Sequence, residues 1–552
     1  MKRVLSVFMM IITLVVLIAC TKQKHKAEFK VDVENNGTNF VITLEVIDPE
    51  DEVNGDIIIA LTDVEEDKEV YNTKTSKEDL EARKEDDDKN NFFTYSGLTM
   101  GKKYRLDIKT TIDEKTVNVY SKVIESTPRD NEEIRTVEEF LSINTKRNAN
   151  YKLMNDLDFA GREDDIASNI ITLFSGTFDG QGFTIKNFKL ESSSINVGIF
   201  QQLSTDAKVH DLKLDNIHMG MKEGQKATGS KRVGILFGQN TSRSAEVKNI
   251  TITNSTIDIK LNGNADYQEI GFLGGASVAK MSGINIDNTN VINVESERIG
   301  KLKIGGLVGK IDNTSQEDVE VNDVILEGTI NYKISQTNKV GVEKQLSLVN
   351  IGGLTGQGNL LTIKNAIIKT DINVDESRIV LNKEEEDAKK EAQVTINVAG
   401  VIAQSANVNL KDVIFEGNIY IKEILLHIKD EVEDSKPDET PNPEVSTEED
   451  KLKRSIKLNI NVGGIYTTTQ SSNLKFVNVL RTGGEVSVVE STNQKIITKT
   501  GTLFSNAPNI KYQENNSFGI TSDVVTDNPD IKVFTVEELF KLNDWILQNY
   551  KK

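Results

Sequence analysis

Few residues in this 552-residue chain could do covalent or metal chemistry, because it holds one cysteine and four histidines. The histidines are His25, His210, His218 and His427, and none is followed by glutamate. A zinc peptidase helix needs His-Glu-x-x-His, so that two imidazoles reach one ion while the carboxylate handles the proton. That arrangement cannot be built here. His210 and His218 flank a predicted strand, and the sequence offers neither a ligand partner. Serines and threonines are plentiful in turn-like stretches, but no Gly-x-Ser-x-Gly elbow accompanies them. The sequence therefore assigns no catalytic residue, no metal ligand and no cofactor.

The single cysteine has a different setting. Lys2 and Arg3 precede an apolar run from Val4 to Ala19, which ends Leu17-Ile18-Ala19-Cys20. A basic start, an apolar middle and a small residue before the break mark a secretory signal, expected over residues 1–19. Cys20 directly after Leu-Ile-Ala resembles the bacterial lipoprotein lipobox, whose cysteine receives a diacylglyceryl group; the alternative is an ordinary signal with an incidental cysteine. Cys20 is thus the expected lipidation site, and acyl chains contribute about 0.8 kcal/mol per buried CH₂ to membrane anchoring. With no second cysteine, an intramolecular disulfide is excluded and stability must come from core burial. A polar tether over residues 20–27 would follow.

The charge balance narrows the partners. Sixty-six basic against 85 acidic residues give a net charge of −19, which provides no general attraction for nucleic acid or anionic lipid. A nucleic-acid partner is excluded on that ground.

Elements that could carry a binding site come from a recurrent unit between Val197 and Gly501. Its copies include VGIF at Val197, VGILFG at Val233, IGFLGG at Ile270, IGGLVG at Ile304, IGGLTG at Ile351, VAGVIA at Val398 and VGGIY at Val462. With Gly198, Gly234, Gly271, Gly306, Gly353, Gly400, Gly464 and Gly501 taken as equivalent, the steps are 36, 37, 35, 47, 47, 64 and 37 residues. Such periods indicate stacked coils. Each glycine is followed by an alternating run, as in LKLDN from Leu212 and ITITN from Ile250, which reads as a strand with one face in and one out. The residue after the run is Asn216, Asn254, Asn288, Gly328 or Gly417, a predicted turn at positive φ. Glycine to run spans 13 to 18 residues, whereas run to next glycine spans 21 to 51. One corner of the coil is therefore fixed and another accepts insertions.

The stretch GTFDGQGFTIKNFKL from Gly176, the following VGIF, KLMNDLDF at Lys152 and later pieces such as VNDVILEG resemble the GLUG-type repeat. That repeat occurs in bacterial surface proteins and in the N-terminal β-helical part of IgA-specific and pneumococcal-type zinc metalloendopeptidases. The resemblance implies a right-handed parallel β-helix over residues 134–520, with the peptidase part absent from this sequence. It also places Asp156, Asp158 and Asp179 inside the repeat motif, where turn hydrogen bonding is the expected role.

Before the array, residues 28–128 contain alternating strands such as FVITLEVID from Phe40 and YRLDIKTTID from Tyr104. GLTMGKKYRLDI resembles the corner of a fibronectin type III domain, which implies a small β-sandwich with Tyr104 forming the corner hydrogen bond. The charged run from Lys77 is expected to be a solvated loop or frayed helix, with a calcium site as the sharper alternative. Thr136-Val-Glu-Glu139 and Thr535-Val-Glu-Glu538 each read as a capping box opening a short helix. Helices there would cover the two open ends of the coil stack, the second within residues 521–552.

The fold class is thus all-β: a parallel β-helix with short helical caps, preceded by a sandwich. The expected function is that of an exported, lipid-anchored, non-catalytic surface protein whose rigid stalk presents a binding surface to a host protein or glycan or to the cell envelope. The segments 332–348, 380–392 and 423–455 at the variable corner are the expected contact. The alternative is a carbohydrate-active enzyme, in which carboxylates from separate coils meet in a groove.

Overall fold

The computed structural model describes residues 26–534, apart from internal stretches of which 335–346, 383–392, 430–456, 507–517 and 522–531 are the longest, together with residues 543–550. The signal, Cys20, His25 and the second Thr-Val-Glu-Glu lie outside the described residues. The chain forms two compact units, Met1–Thr127 and Pro128–Lys552.

The first unit is an antiparallel sandwich. Glu28–Asn35, Phe40–Ile47 and Phe92–Tyr95 make one sheet; Lys68–Thr75, Ile57–Asp63, Lys103–Ile112 and Lys115–Glu125 make the other. Alternation puts Phe40, Ile42, Leu44, Ile59, Leu61 and Leu106 between them, all fully buried. Tyr104 packs edge-on against Phe40 with ring centroids 5.8 Å apart, and its hydroxyl accepts the Thr99 N–H at 2.8 Å. The charged run from Lys77 is a helix, Lys77–Glu85, capped by Ser76 Oγ accepting from Asp79 N–H. Its Leu80 is buried in the sandwich core, which is why the segment holds a helix despite its charge.

The second unit is a parallel β-helix. Each coil runs through an eight-stranded sheet containing Lys231–Val233, Gln268–Gly271 and Lys301–Gly305, turns a glycine corner, and enters a 20-stranded long sheet. It then crosses a second eight-stranded sheet, containing Thr256–Leu261, Val291–Ser296 and Thr329–Ile334, before returning. Stacking is in register, so like residues pile into columns. Leu212, Ile250, Ile284, Val324, Ala366 and Val413 form one such column, every member at most 1% exposed. Burial of each large aliphatic there contributes about 1.5–3 kcal/mol, which is how the unit manages without disulfides.

The glycine register differs from the sequence alignment in four coils. The column is Gly198, Gly234, Gly271, Gly305, Gly352, Ala399, Gly463 and Gly501. Gly306, Gly353 and Gly400 form a neighbouring stack, in which a Cβ on Gly306 would lie 2.0 Å from the Gly353 carbonyl oxygen and one on Gly353 equally close to that of Gly400. Two adjacent backbone approaches, not one, account for the double glycines.

The turn expectation also needs correcting. Asn216 and Asn254 have φ of 54° and 51° as expected, but Asn288, Gly328 and Gly417 are not at positive φ. Gly328 is there because a Cβ would meet the Phe272 ring at 2.6 Å, and Gly417 because one would meet the Thr370 carbonyl at 2.1 Å. The persistent left-handed column lies within the long strands instead: Asp211, Asn249, Gly283, Asp323, Asn365, Asp412 and Asn478, with φ between 52° and 65°. Asn249, Asn365 and Asn478 each donate Nδ2–H to the aspartate of the preceding coil at 2.7 Å.

The first capping box is present in full. Thr136 Oγ1 accepts Glu139 N–H, Glu139 accepts Thr136 N–H, and the helix Val137–Leu141 packs Phe140 edge-on against Phe159 and Phe178. At the other terminus the start of the expected cap, with its Thr-Val-Glu-Glu box, lies outside the described residues. The described helix, Asp544–Tyr550, lies on the outer side of the long sheet, where Ile546 covers the outward column Ile367, Ile414 and Leu480. Three outward aliphatics in register make a stripe that a helix covers more favourably than water does. Asn543 Nδ2 donates to Asn365 and Asp412, and Tyr550 donates to or accepts from Thr482, which fixes its position.

Candidate binding face

The second eight-stranded sheet carries the candidate site. It comprises Lys189–Glu191, His218–Gly220, Thr256–Leu261, Val291–Ser296, Thr329–Ile334, Asp371–Val374, Ile419–Ile421 and Val486–Val488. Strict alternation sends Ile257, Ile292, Ile330, Ile372 and Ile419 into the core. The intervening positions form an outward column: Asp258, Asn293, Asn331, Asn373, Tyr420 and Ser487.

The first four members of this column form a hydrogen-bonded ladder. Asn293 Nδ2 donates to Asp258 at 2.7 Å, Asn331 to Asn293 at 2.9 Å and Asn373 to Asn331 at 2.9 Å. Beside it runs a column of alternating charge, Lys260, Glu295, Lys333, Asp375 and Lys422. Lys422 meets Asp375 at 2.7 Å, which holds the ammonium above the usual lysine range, and Lys260 lies 3.9 Å from Glu295. The two columns line two adjoining hollows of ≈ 270 Å³ and ≈ 430 Å³ that share Asn331 and Asp375. Together they form a trough along the coil stack. Met221, Lys222, Gly224 and Gln225 line one of the hollows, at the end nearer Asp258. They are held because Ala227 pairs with the next coil, donating to Lys260 O at 2.8 Å and accepting from Asn262 N at 3.0 Å.

A second asparagine ladder provides the comparison. Asn350, Asn397 and Asn461 stack on the other eight-stranded sheet with bonds of 2.8 Å, but all are at most 5% exposed. On that same column Glu269, 2% exposed, is met by Arg232 at 2.9 Å and Lys303 at 3.1 Å, and burial pushes the Lys303 ammonium down. Those groups are consumed in holding the coils together. The trough ladder is half-exposed.

The variable corner opens directly beyond the trough sheet. Ile334 N–H donates to Ser377 Oγ at 3.1 Å, and Ser377–Asn382 pairs in parallel with Ile424–Lys429. The bases of the expected contact segments are therefore stacked on one edge, while 335–346, 383–392 and 430–456 themselves lie outside the described residues.

The residues singled out from sequence fall elsewhere. Asp156, Asp158 and Asp179 accept the backbone N–H groups of Thr184, Ala160 and Gln181 at 2.8, 3.1 and 3.0 Å. His210 is not isolated: its Nδ1 lies 2.8 Å from Asp211 and 3.6 Å from Asp179. These three form the one group of metal-ligating side chains among the described residues. Asp211 is held low by hydrogen bonds from Asn249 and His210, so its oxygens already serve the left-handed ladder. His218 Nδ1 lies 3.7 Å from Asp258, at the end of the trough ladder, and His427 belongs to the strand Ile424–Lys429. Of the trough residues, sequence singled out only Tyr332 and Lys333, as the start of the expected contact segment 332–348. The signal available was the repeated polar centre of DIK, NVE, NYK and NVD within VIL-rich strands.

No protein-family profile and no curated protein matches the chain. Among solved structures, it is similar to a putative immunoglobulin A1 protease from Bacteroides ovatus, at 12% identity and a TM-score of 0.34, covering 76% of this chain and 87% of that one. It is also similar to an IgA1 protease at 15% identity and a TM-score of 0.32, covering 78% of this chain but 28% of that chain. A pectate lyase from Pectobacterium carotovorum aligns at 8% identity and a TM-score of 0.14, over 68% of this chain and 91% of that one. The site's chemistry is accordingly read from the trough itself. Its polar groups are amides, one phenol, and carboxylates interleaved with ammonium groups, an arrangement suited to hydrogen-bonded recognition of an extended ligand.

Proposed function

We propose that this chain is a lipid-anchored, non-catalytic surface protein in which the β-helix is a rigid scaffold and the trough sheet with the adjoining insertion edge is the binding face. The observation that carries this reading is the coincidence of the two features on neighbouring sides of the coil. Six in-register polar rungs lie next to the edge from which the segments 335–346, 383–392 and 430–456 leave. Cys20 is the anchor in this reading, and the sandwich is a fibronectin type III-like spacer, supported by its sheets of three and four strands and the Tyr104 hydroxyl bond.

The experiment replaces Asp430–Asp450 with a short Gly/Ser bridge and shortens the two smaller insertions. Adhesion to host cells, matrix and isolated cell envelope is then measured beside thermal melting. Adhesion should fall with melting unchanged; undiminished adhesion moves the contact away from this edge. A Cys20→Ala chain should lose metabolic palmitate label, and equal labelling would refute the anchor.

Glu295 and Asp375 in the trough favour the alternative of a carbohydrate-active enzyme. The same preparations incubated with polysaccharides should release no shorter products. Product formation lost on Glu295→Gln or Asp375→Asn would replace the binding reading with that one.

A further inference from the structure

The geometry points to a specific ligand class for the trough: an unbranched, uncharged polysaccharide lying along the coil axis, with successive sugars on successive rungs. This rests on the proposed binding face and names what it takes.

The ladder has hydrogen-bonding capacity left over. An asparagine amide offers two N–H donors and two acceptor lone pairs. Asn293 and Asn331 each use one donor and one acceptor within the ladder, so each keeps one N–H and one lone pair for a ligand. The half-exposure of these residues leaves that capacity facing the hollow, whereas the ladder at Asn350, Asn397 and Asn461 is sealed. From Asp258 to Ser487 the rungs repeat at about 4.8 Å, so the trough presents similar polar positions over roughly 24 Å. A matching ligand must repeat its own donors and acceptors in the same way, as the hydroxyls of a linear polysaccharide do.

The other extended polymers fit less well. A peptide strand is captured by the free backbone edge of a sheet, but the floor of this trough is side chain, and its strands are already paired on both sides from Thr256–Leu261 to Ile419–Ile421. A polyanion, nucleic acid or uronate, needs uncompensated cations. Here Lys260, Lys333 and Lys422 alternate with Glu295 and Asp375, Asp258 heads the adjoining ladder, Lys222 lines one hollow and Glu485 accepts from the Tyr420 hydroxyl at 3.3 Å, so four ammonium groups face four carboxylates. That balance favours an uncharged chain. Tyr420 extends the ladder with a ring, and an aromatic face accepts the apolar C–H face of a sugar while its hydroxyl stays polar. Met221, Lys222, Gly224 and Gln225 line the hollow at one end, and a bound chain extends from there toward Ser487 and Val489.

The test titrates the full mature chain with uncharged β-1,4-linked glucose, mannose and xylose oligosaccharides of two to six units, and with oligogalacturonate, by calorimetry. At least one uncharged series should bind, with affinity rising through about five units and then levelling, as rungs about 4.8 Å apart would be filled in turn. Tyr420→Ala and Asn331→Leu should each weaken that binding roughly tenfold or more. Tyr420→Ala leaves the ladder intact, so its melting curve controls for folding should Asn331→Leu disturb the coils. Absence of any uncharged binding, preference for oligogalacturonate, or binding indifferent to Tyr420→Ala would each overturn the assignment. If Tyr420→Ala leaves adhesion intact while insertion shortening abolishes it, the ligand assignment fails and the binding-face reading stands. If neither alters adhesion, both fail.

Discussion

Lys231 shows how one side chain sets a pH dependence. It is 2% exposed, on the inward column of Gln268, Leu302 and Val349, with its amine turned to the carbonyls of Ser192 and Ser194. Burial pushes its ammonium down from 10.5 to about 8. Between those values the unfolded chain holds a proton that the folded chain has released, so stability rises with pH across about 8 to 10.5. Lys231→Met should remove that rise. Relative to the variant, the parent should gain about 3 kcal/mol between pH 7.5 and pH 10.5 in denaturant titrations; parallel curves would contradict this. Leu360 is the complementary case, held at φ 50° beside Asn407 at φ 52°. A leucine there lacks the local hydrogen bond that lets asparagine tolerate left-handed backbone. Leu360→Asn should stabilise the β-helix by roughly 0.5–1 kcal/mol in the same assay, and destabilisation would show that its apolar contacts outweigh the backbone strain.

At the scale of elements, what was legible in the sequence was what repeats locally. Alternating runs such as LKLDN and the glycine corners are local properties of a strand and a tight bend, so they could be read without contacts. Register was harder, because VAGVIA and IGGLVG admit two alignments and only the strand pairing between coils decides between them. The left-handed column was missed because Asp211, Asn249 and Asn365 sit inside strands, where a polar residue reads as an outward position rather than as a break in alternation. The seat of the helix Asp544–Tyr550 was not legible because nothing local says that Ile367, Ile414 and Leu480 share one outer stripe; that follows from register across coils. Ile546→Asp should detach the helix from that stripe. Amides of residues 544–550 should then lose hydrogen-exchange protection while those of the core columns keep theirs, and unchanged protection would mean that Asn543 and Tyr550 hold the helix without the apolar contact.

For the whole molecule, the fold class was expected from the array, whereas the trough was not. A trough is made by side chains some 35 to 67 residues apart in sequence, Asp258 to Asn293 and Tyr420 to Ser487, that only in-register coils bring together. Its ordinary residue types carry no signature until they are stacked. Under the proposed function this face retains its ligand without turnover, on a scaffold whose net charge of −19 disfavours polyanions generally. The most direct measurement passes labelled neutral polysaccharide and extracted cell-envelope glycan over immobilised mature protein and follows both retention and fragment release by mass spectrometry. Glycan should be retained intact, and Tyr420→Ala with the shortened insertions should abolish retention. Release of shortened chains, or retention that survives both changes, would contradict the proposed function.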